Sequence, residues 1–175
     1  NIWLGTLVRD QAEADERIPA LLATPAAKRV VMLDPLVGPV VLCKDCLSQS
    51  PMHYPESWPP DARYHTYGAG FGSVCKVGGK LDWAIVSGET GPCARPCGVG
   101  WIRHIVAQCK AAAVPVFVGA LGAKPYTNGI QDHGDDSIGE ATVFDGHRTH
   151  WKIADRRGAD MAEWPTDLAV REVLR

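Results

Sequence analysis

The stretch Leu81-Asp-Trp-Ala-Ile-Val-Ser-Gly-Glu-Thr-Gly-Pro-Cys-Ala-Arg-Pro-Cys97 decides how this chain is read. Trp83 to Val86 is a short apolar run with a β-branched centre, the composition of a strand buried on both faces of a parallel sheet. Ser87, Gly88, Glu89, Thr90 and Gly91 follow at once, and the carboxyl ends of parallel strands are where ligands sit. A carboxylate between two glycines is therefore aimed at a cleft. On residue types alone a second reading stays open, in which Gly88 and Gly91 only turn the chain and Glu89 caps a helix beginning near Val99.

Upstream, Ile2 to Leu4 and Val8 flank a Gly5-Thr6 turn, and Asp10-Gln-Ala-Glu13 offers a capping box with Asp10 as N-cap. Ala14, Ile18, Leu21 and Leu22 follow at helical spacing, and Pro19 predicts a kink or a second short helix. Arg29 to Leu33 is the next strand, so Asp34 occupies the same topological place as Glu89. Two such carboxylates can share a site, although a turn cap or a salt bridge accounts for each separately.

Downstream, Trp101, Ile105, Cys109 and Ala112 mark the inner face of a helix, with Arg103, His104 and Lys110 outside. Val114 to Val118 is a further strand, running into Gly119-Ala-Leu-Gly122-Ala-Lys124-Pro125. The alternation predicts an α/β fold: a partial parallel (β/α) barrel of about four strands with flanking helices, spanning residues 1–125. Residues 40–80 form an irregular, Cys-containing excursion within it, where Tyr54, Trp58, Tyr64, Tyr67 and Phe71 can stack on a base or pin the loop. Residues 126–150 read as a polar loop or insertion, and 151–175 as a tail packing on the barrel through Met161, Trp164, Leu168 and Val170.

Bulk properties narrow the classes. A length of 175 residues suits one domain, and 46% hydrophobic with 22% charged residues is the balance of a globular protein. The formal net charge of -2 carries no electrostatic footprint for nucleic acid. No apolar run approaches the roughly 20 residues that span a bilayer, so no membrane is expected and the cytoplasm is the expected location. The chain starts at Asn1, almost within a strand, from which we expect a preceding amino-terminal part.

Six cysteines without an export signal favour metal, thiol or burial roles over a disulfide framework. Cys43 and Cys46 form a CxxC that suits two thiolates on zinc, with Cys75, His53 and His65 as candidates for the two further ligands a structural site needs.

Several motifs, in order, resemble a phage and prophage family of radical-SAM-like proteins. They are Trp3-Leu-Gly-Thr6, Arg17-Ile-Pro-Ala-Leu-Leu22, Pro25-Ala-Ala-Lys-Arg29, Asp34-Pro-Leu-Val-Gly-Pro39, Leu81-Asp-Trp83, Gly88-Glu-Thr-Gly-Pro92, Ala94-Arg-Pro96, Trp101-Ile-Arg103 and Asp155-Arg-Arg-Gly-Ala-Asp-Met-Ala-Glu-Trp-Pro165. The resemblance lapses from Cys43 to Lys80 and from Thr127 to His150. It implies that this chain is the carboxyl-terminal, substrate-side half of a barrel. A three-cysteine loop in the missing amino-terminal half, or on a partner protein, would hold a four-iron four-sulfur cluster that works with S-adenosylmethionine.

By the same resemblance Glu89 and Asp34 are the catalytic candidates, accepting hydrogen bonds from the methionyl amine or substrate hydroxyls. Thr6, Gly88, Gly91 and Arg95 line the pocket, with Arg95 pairing a carboxylate or phosphate of a nucleobase or nucleotide substrate. Departures from the pattern are Leu7-Val8-Arg9 where the family often has Ser and Val-Glu, and Gly119-Ala120 where it often has Lys-Gln. The rival classes are a non-catalytic, zinc-stapled binding module and an inactive remnant. Stoichiometric zinc lost on Cys43→Ser would mark the binding module.

Overall fold

The computed structural model describes residues 2–42, 80–127, 141–145 and 148–174. Strands β1 (Trp3–Leu7), β2 (Lys28–Leu33), β3 (Trp83–Ser87) and β5 (Val116–Ala120) form one sheet in the order β1-β2-β3-β5, with every pair parallel. Helices α1 (Gln11–Ala23) and α2 (Val99–Ala111) make the crossovers from β1 to β2 and from β3 to β5. The architecture is thus α/β, a parallel four-stranded sheet with flanking helices, and each strand lies beside its predecessor in that sheet as consecutive barrel strands do.

Gly5 and Thr6, expected in a turn, lie inside β1 and pair with Val30 and Val31. The uncharged run around them has a full-length parallel neighbour, and that ladder outweighs the local preference of a lone glycine. Asp10 is the N-cap of α1 and accepts the Glu13 N–H at 3.0 Å. The Glu13 carboxylate reaches back to the N–H of Arg9, at 2.9 Å, and not to that of the cap residue. It also pairs with the Arg9 and Arg17 side chains, and the Arg9 hydrogen bond holds its pKa down to about 2. No second helix starts at Pro19: α1 runs unbroken through it, because Ala14, Ile18, Leu21 and Leu22 bury a continuous stripe on both sides of the proline.

Parallel register sorts the sheet's two faces. Val31, Ala84 and Val116 are paired in a row, as are Leu33, Val86 and Val118, and all six are fully buried against the helices. Helix α2 covers them with Val99, Ile102, Ile105, Val106 and Cys109. His104, expected among the solvated residues, is half-buried on this helix, and burial lowers its pKa to about 4. The other face carries Trp3, Leu7, Met32, Ile85 and Phe117, and it stays open at the β1 side, where Trp3 is 54% and Leu7 41% exposed.

A second sheet joins β4 (Cys97–Gly98), β6 (Pro125–Thr127), β8 (Arg148–Trp151) and β7 (Ala141–Asp145) in that order. The stretch 126–150, read as a loop or insertion, therefore contains the β7–β8 hairpin within its described residues. The tail packs as its pattern suggested for Trp164 and Leu168, which are buried, while Met161 is exposed. Beyond that, it closes the outer edge of β5. The Val118 N–H donates to the Val170 carbonyl at 2.8 Å, the Glu172 N–H to Val116 at 3.0 Å, and Arg171 lies over the rings of Phe117 and Trp164.

Candidate functional site

All four strands of the main sheet point the same way, so the residues that follow them gather along one rim. Asp34 follows β2, Glu89 follows β3, and the segment from Leu121 to Lys124 follows β5. The rim is knitted by backbone bonds: Leu36 N–H to the Ser87 carbonyl (2.8 Å), Gly88 N–H to Ala120 (2.9 Å), Ala123 N–H to Glu89 (2.8 Å) and Cys97 N–H to Lys124 (3.1 Å).

Glycine is needed where these segments touch. A Cβ on Gly88 would stand 2.3 Å from the Leu121 carbonyl oxygen, and one on Gly158 only 2.2 Å from that of Gly122. Gly122 and Gly158 also have φ of +89° and +64°, in the left-handed region that favours glycine. Gly91, at φ +104°, turns the chain in open space and brings Arg95 back toward Glu89. Sequence reading placed Gly88 and Gly91 at this rim. It missed Gly122, Gly158 and Lys124, although the strand-end argument applied to β5 points to the same loop.

Glu89 and Arg95 are joined. Glu89 Oε2 accepts from Arg95 Nε at 2.6 Å and from the Arg95 backbone N–H at 3.0 Å. These bonds, aided by the charge of Lys124, hold the Glu89 carboxyl below its ordinary value. Glu89 does not cap α2, whose N-cap is Gly98 with no side-chain bond. Glu89 Oε1 and the Arg95 Nη1 and Nη2 groups have no partner among the described residues.

Asp34 differs in kind. It is exposed at the surface and has no hydrogen-bond or ion-pair partner among the described residues, yet the protein packed around it raises its carboxyl by desolvation. A helix or turn cap is thereby ruled out as its role. Thr6 stands apart from both. Its partner Val31 belongs to the helix-covered face, so alternation directs Thr6 there, whereas Asp34 lies one step beyond the buried Leu33, on the side of Met32. The rim therefore brings Glu89, Arg95 and Gly88 together with Lys124 and has Asp34 alongside, while Thr6 turns away.

No group of three or more His, Cys, Asp or Glu residues that could hold a metal ion occurs among the described residues. Cys43 and Cys46, with Cys75, His53, His65 and the aromatic residues of the excursion, lie outside them. Cys97 and Cys109 are fully buried, and desolvation pushes both thiols up to about 12, the opposite of what a thiolate ligand requires. No helix among the described residues is long and apolar enough to cross a membrane.

Fold and rim together define an α/β protein with a charged rim at the carboxyl ends of a parallel sheet. The chain belongs to the family described as "Protein of unknown function (DUF5131)", which matches residues 1–157. No curated protein and no solved structure matches it.

Proposed function

We propose that this chain forms the substrate-side wall of a radical-SAM-like enzyme of phage or prophage type, acting on a nucleobase or nucleotide. The observation that carries the reading is Asp34: a desolvated carboxyl without a partner among the described residues, at the carboxyl end of a parallel sheet. A fold that keeps such a group in place uses it for something other than its own stability.

In this reading Asp34, with the open Oε1 of Glu89, accepts hydrogen bonds from the ammonium and hydroxyl groups of S-adenosylmethionine or substrate. The half-open apolar face of Met32 and Ile85 below it excludes water from one side of the ligand. The cofactors carry the radical chemistry and the protein supplies binding and orientation. The described residues do not fit an iron–sulfur cluster, since their cysteines are either buried and protonated or, like Cys93, single. A cluster belongs to residues outside them or to a partner protein, and no step at this rim depends on it.

Titration calorimetry with S-adenosylmethionine tests the assignment. Saturable binding weakened at least tenfold by Asp34→Asn, with unchanged circular dichroism, is the expected result. Binding that Asp34→Asn leaves untouched would remove the rim from consideration.

A further inference from the structure

We infer that Arg95 and Lys124 form an anion subsite on this rim that takes the phosphate of a nucleotide, a deepening of the rim reading on which it rests. Arg95 is held at two points by a single carboxylate oxygen, Glu89 Oε2. The atoms used are its backbone N–H and Nε, and the forked Nη1 and Nη2 groups have no partner among the described residues. Arg95 is 51% exposed, which leaves that fork open to solvent. A guanidinium fixed at Nε presents two parallel donors to a planar or tetrahedral oxyanion.

Lys124 brings the second charge. The Ala123 N–H bond to Glu89 and the Cys97 N–H bond to Lys124 hold its segment against both ends of the 89–97 loop. The ammonium is near enough to favour the charged form of Glu89. Within this group one carboxylate faces two cations, which leaves a surplus positive charge before any ligand arrives. Two further carboxylates lie outside this group: Asp34 alongside it on the rim, and Asp155, whose oxygens accept from the N–H groups of Arg157, Ala159 and Asp160. Glu89 is accordingly a positioning residue for the Arg95 fork.

That single positive charge attracts an anionic phosphate, whereas an uncharged nucleoside gains nothing from it. The site is exposed, so the attraction is screened by salt and is best measured at low ionic strength.

The experiment is an NMR titration of the whole 175-residue chain with inorganic phosphate, following the Arg95 Nε–Hε signal and the Gly91 amide. Saturable shifts are expected, absent with chloride at equal ionic strength. Lys124→Gln should weaken phosphate binding about tenfold, and Arg95→Lys, which keeps the charge and loses the fork, by a similar factor. Both residues are exposed, so both variants should retain the parent amide spectrum away from the rim. Phosphate that leaves these signals unmoved, or that moves them equally in parent and variants, overturns the subsite.

A parallel titration separates the two readings. If adenosine and adenosine monophosphate bind equally and Asp34→Asn weakens both, the subsite fails and the rim reading survives. If neither nucleoside, nucleotide nor S-adenosylmethionine binds, both fail.

Discussion

Desolvation works against the charged forms of Asp34 and His104, and their consequences for stability run through different pH ranges. Desolvation raises the Asp34 carboxyl, so the folded state holds its proton more tightly than the unfolded chain does, and the ionised group opposes folding at neutral pH. Asp34→Asn should therefore melt at or above the parent temperature at pH 7 while losing ligand binding, the combination expected of a residue kept for function. Differential scanning calorimetry beside the binding titration checks it, and a lowered melting temperature would make Asp34 structural.

His104 titrates at about 4 in the folded chain against 6.5 in the unfolded one. Between those values the unfolded chain binds more protons, so stability is complete above pH 6.5 and falls as the pH drops toward 4, by about 3 kcal/mol at the limit. Urea unfolding between pH 7 and 4 should show this slope, and His104→Gln should flatten it. The charge states of both residues were illegible in the sequence, because each depends on how tightly distant segments pack around it.

Two glutamines hold the segment that leaves the sheet after Asp34. Gln108, buried within α2, accepts the Leu42 N–H at 2.7 Å and donates to the carbonyls of Val40 (3.3 Å) and His104 (3.2 Å). Gln11, on α1, exchanges the same kind of bonds with Val41, 2.7 Å from its N–H and 3.3 Å from its carbonyl. Residues 40–42 are thereby tied to both helices, and side chains replace the strand ladder that this extended segment lacks. Gln108→Leu keeps the volume and strands a buried N–H and a carbonyl, so a loss of about 2–4 kcal/mol in denaturant unfolding is expected. A change under 0.5 kcal/mol would show that water satisfies those groups. Gly158→Ala should be equally costly, since its Cβ meets the Gly122 carbonyl at 2.2 Å at a positive φ; the tail should then dock less tightly, with faster hydrogen exchange at the Leu121 amide that Gly158 binds.

The elements themselves were largely legible. Both helices of the main sheet announced themselves by an apolar stripe, and β2, β3 and β5 by a β-branched run with glycine or proline within or just after it. The Gly5-Thr6 turn misled because glycine is a local signal and the β2 ladder a non-local one. The hairpin β7–β8 was hidden by the polar, acidic stretch that precedes it in sequence, although Thr142, Val143 and Phe144 have strand character.

At the level of the molecule, the two edges of the main sheet are treated differently. The edge of β5 is covered by the tail, with Arg171 donating to the carbonyls of Val118, Gly119 and Ala159 while stacked between Phe117 and Trp164. The outer edge of β1 has no strand beside it among the described residues, and Trp3 and Leu7 stand exposed along it. Arg171→Ala should loosen the tail as a unit. Hydrogen exchange at the Val118 and Glu172 amides is expected to accelerate while the α1 amides keep their protection, and uniform acceleration would mean that the tail is integral to global stability.

The order of residues along the chain was enough to establish a parallel α/β sheet and to set Asp34 and Glu89 at the carboxyl ends of its strands. Those conclusions follow from periodicity and chain direction, which are local properties. Packing alone decided that Glu89 is bonded to Arg95, that Asp34 stands without a partner among the described residues, that Thr6 turns toward the helices, and that Lys124 completes the rim. Each of these depends on which residues far apart in sequence come within bonding distance, and spacing along one strand carries no record of that.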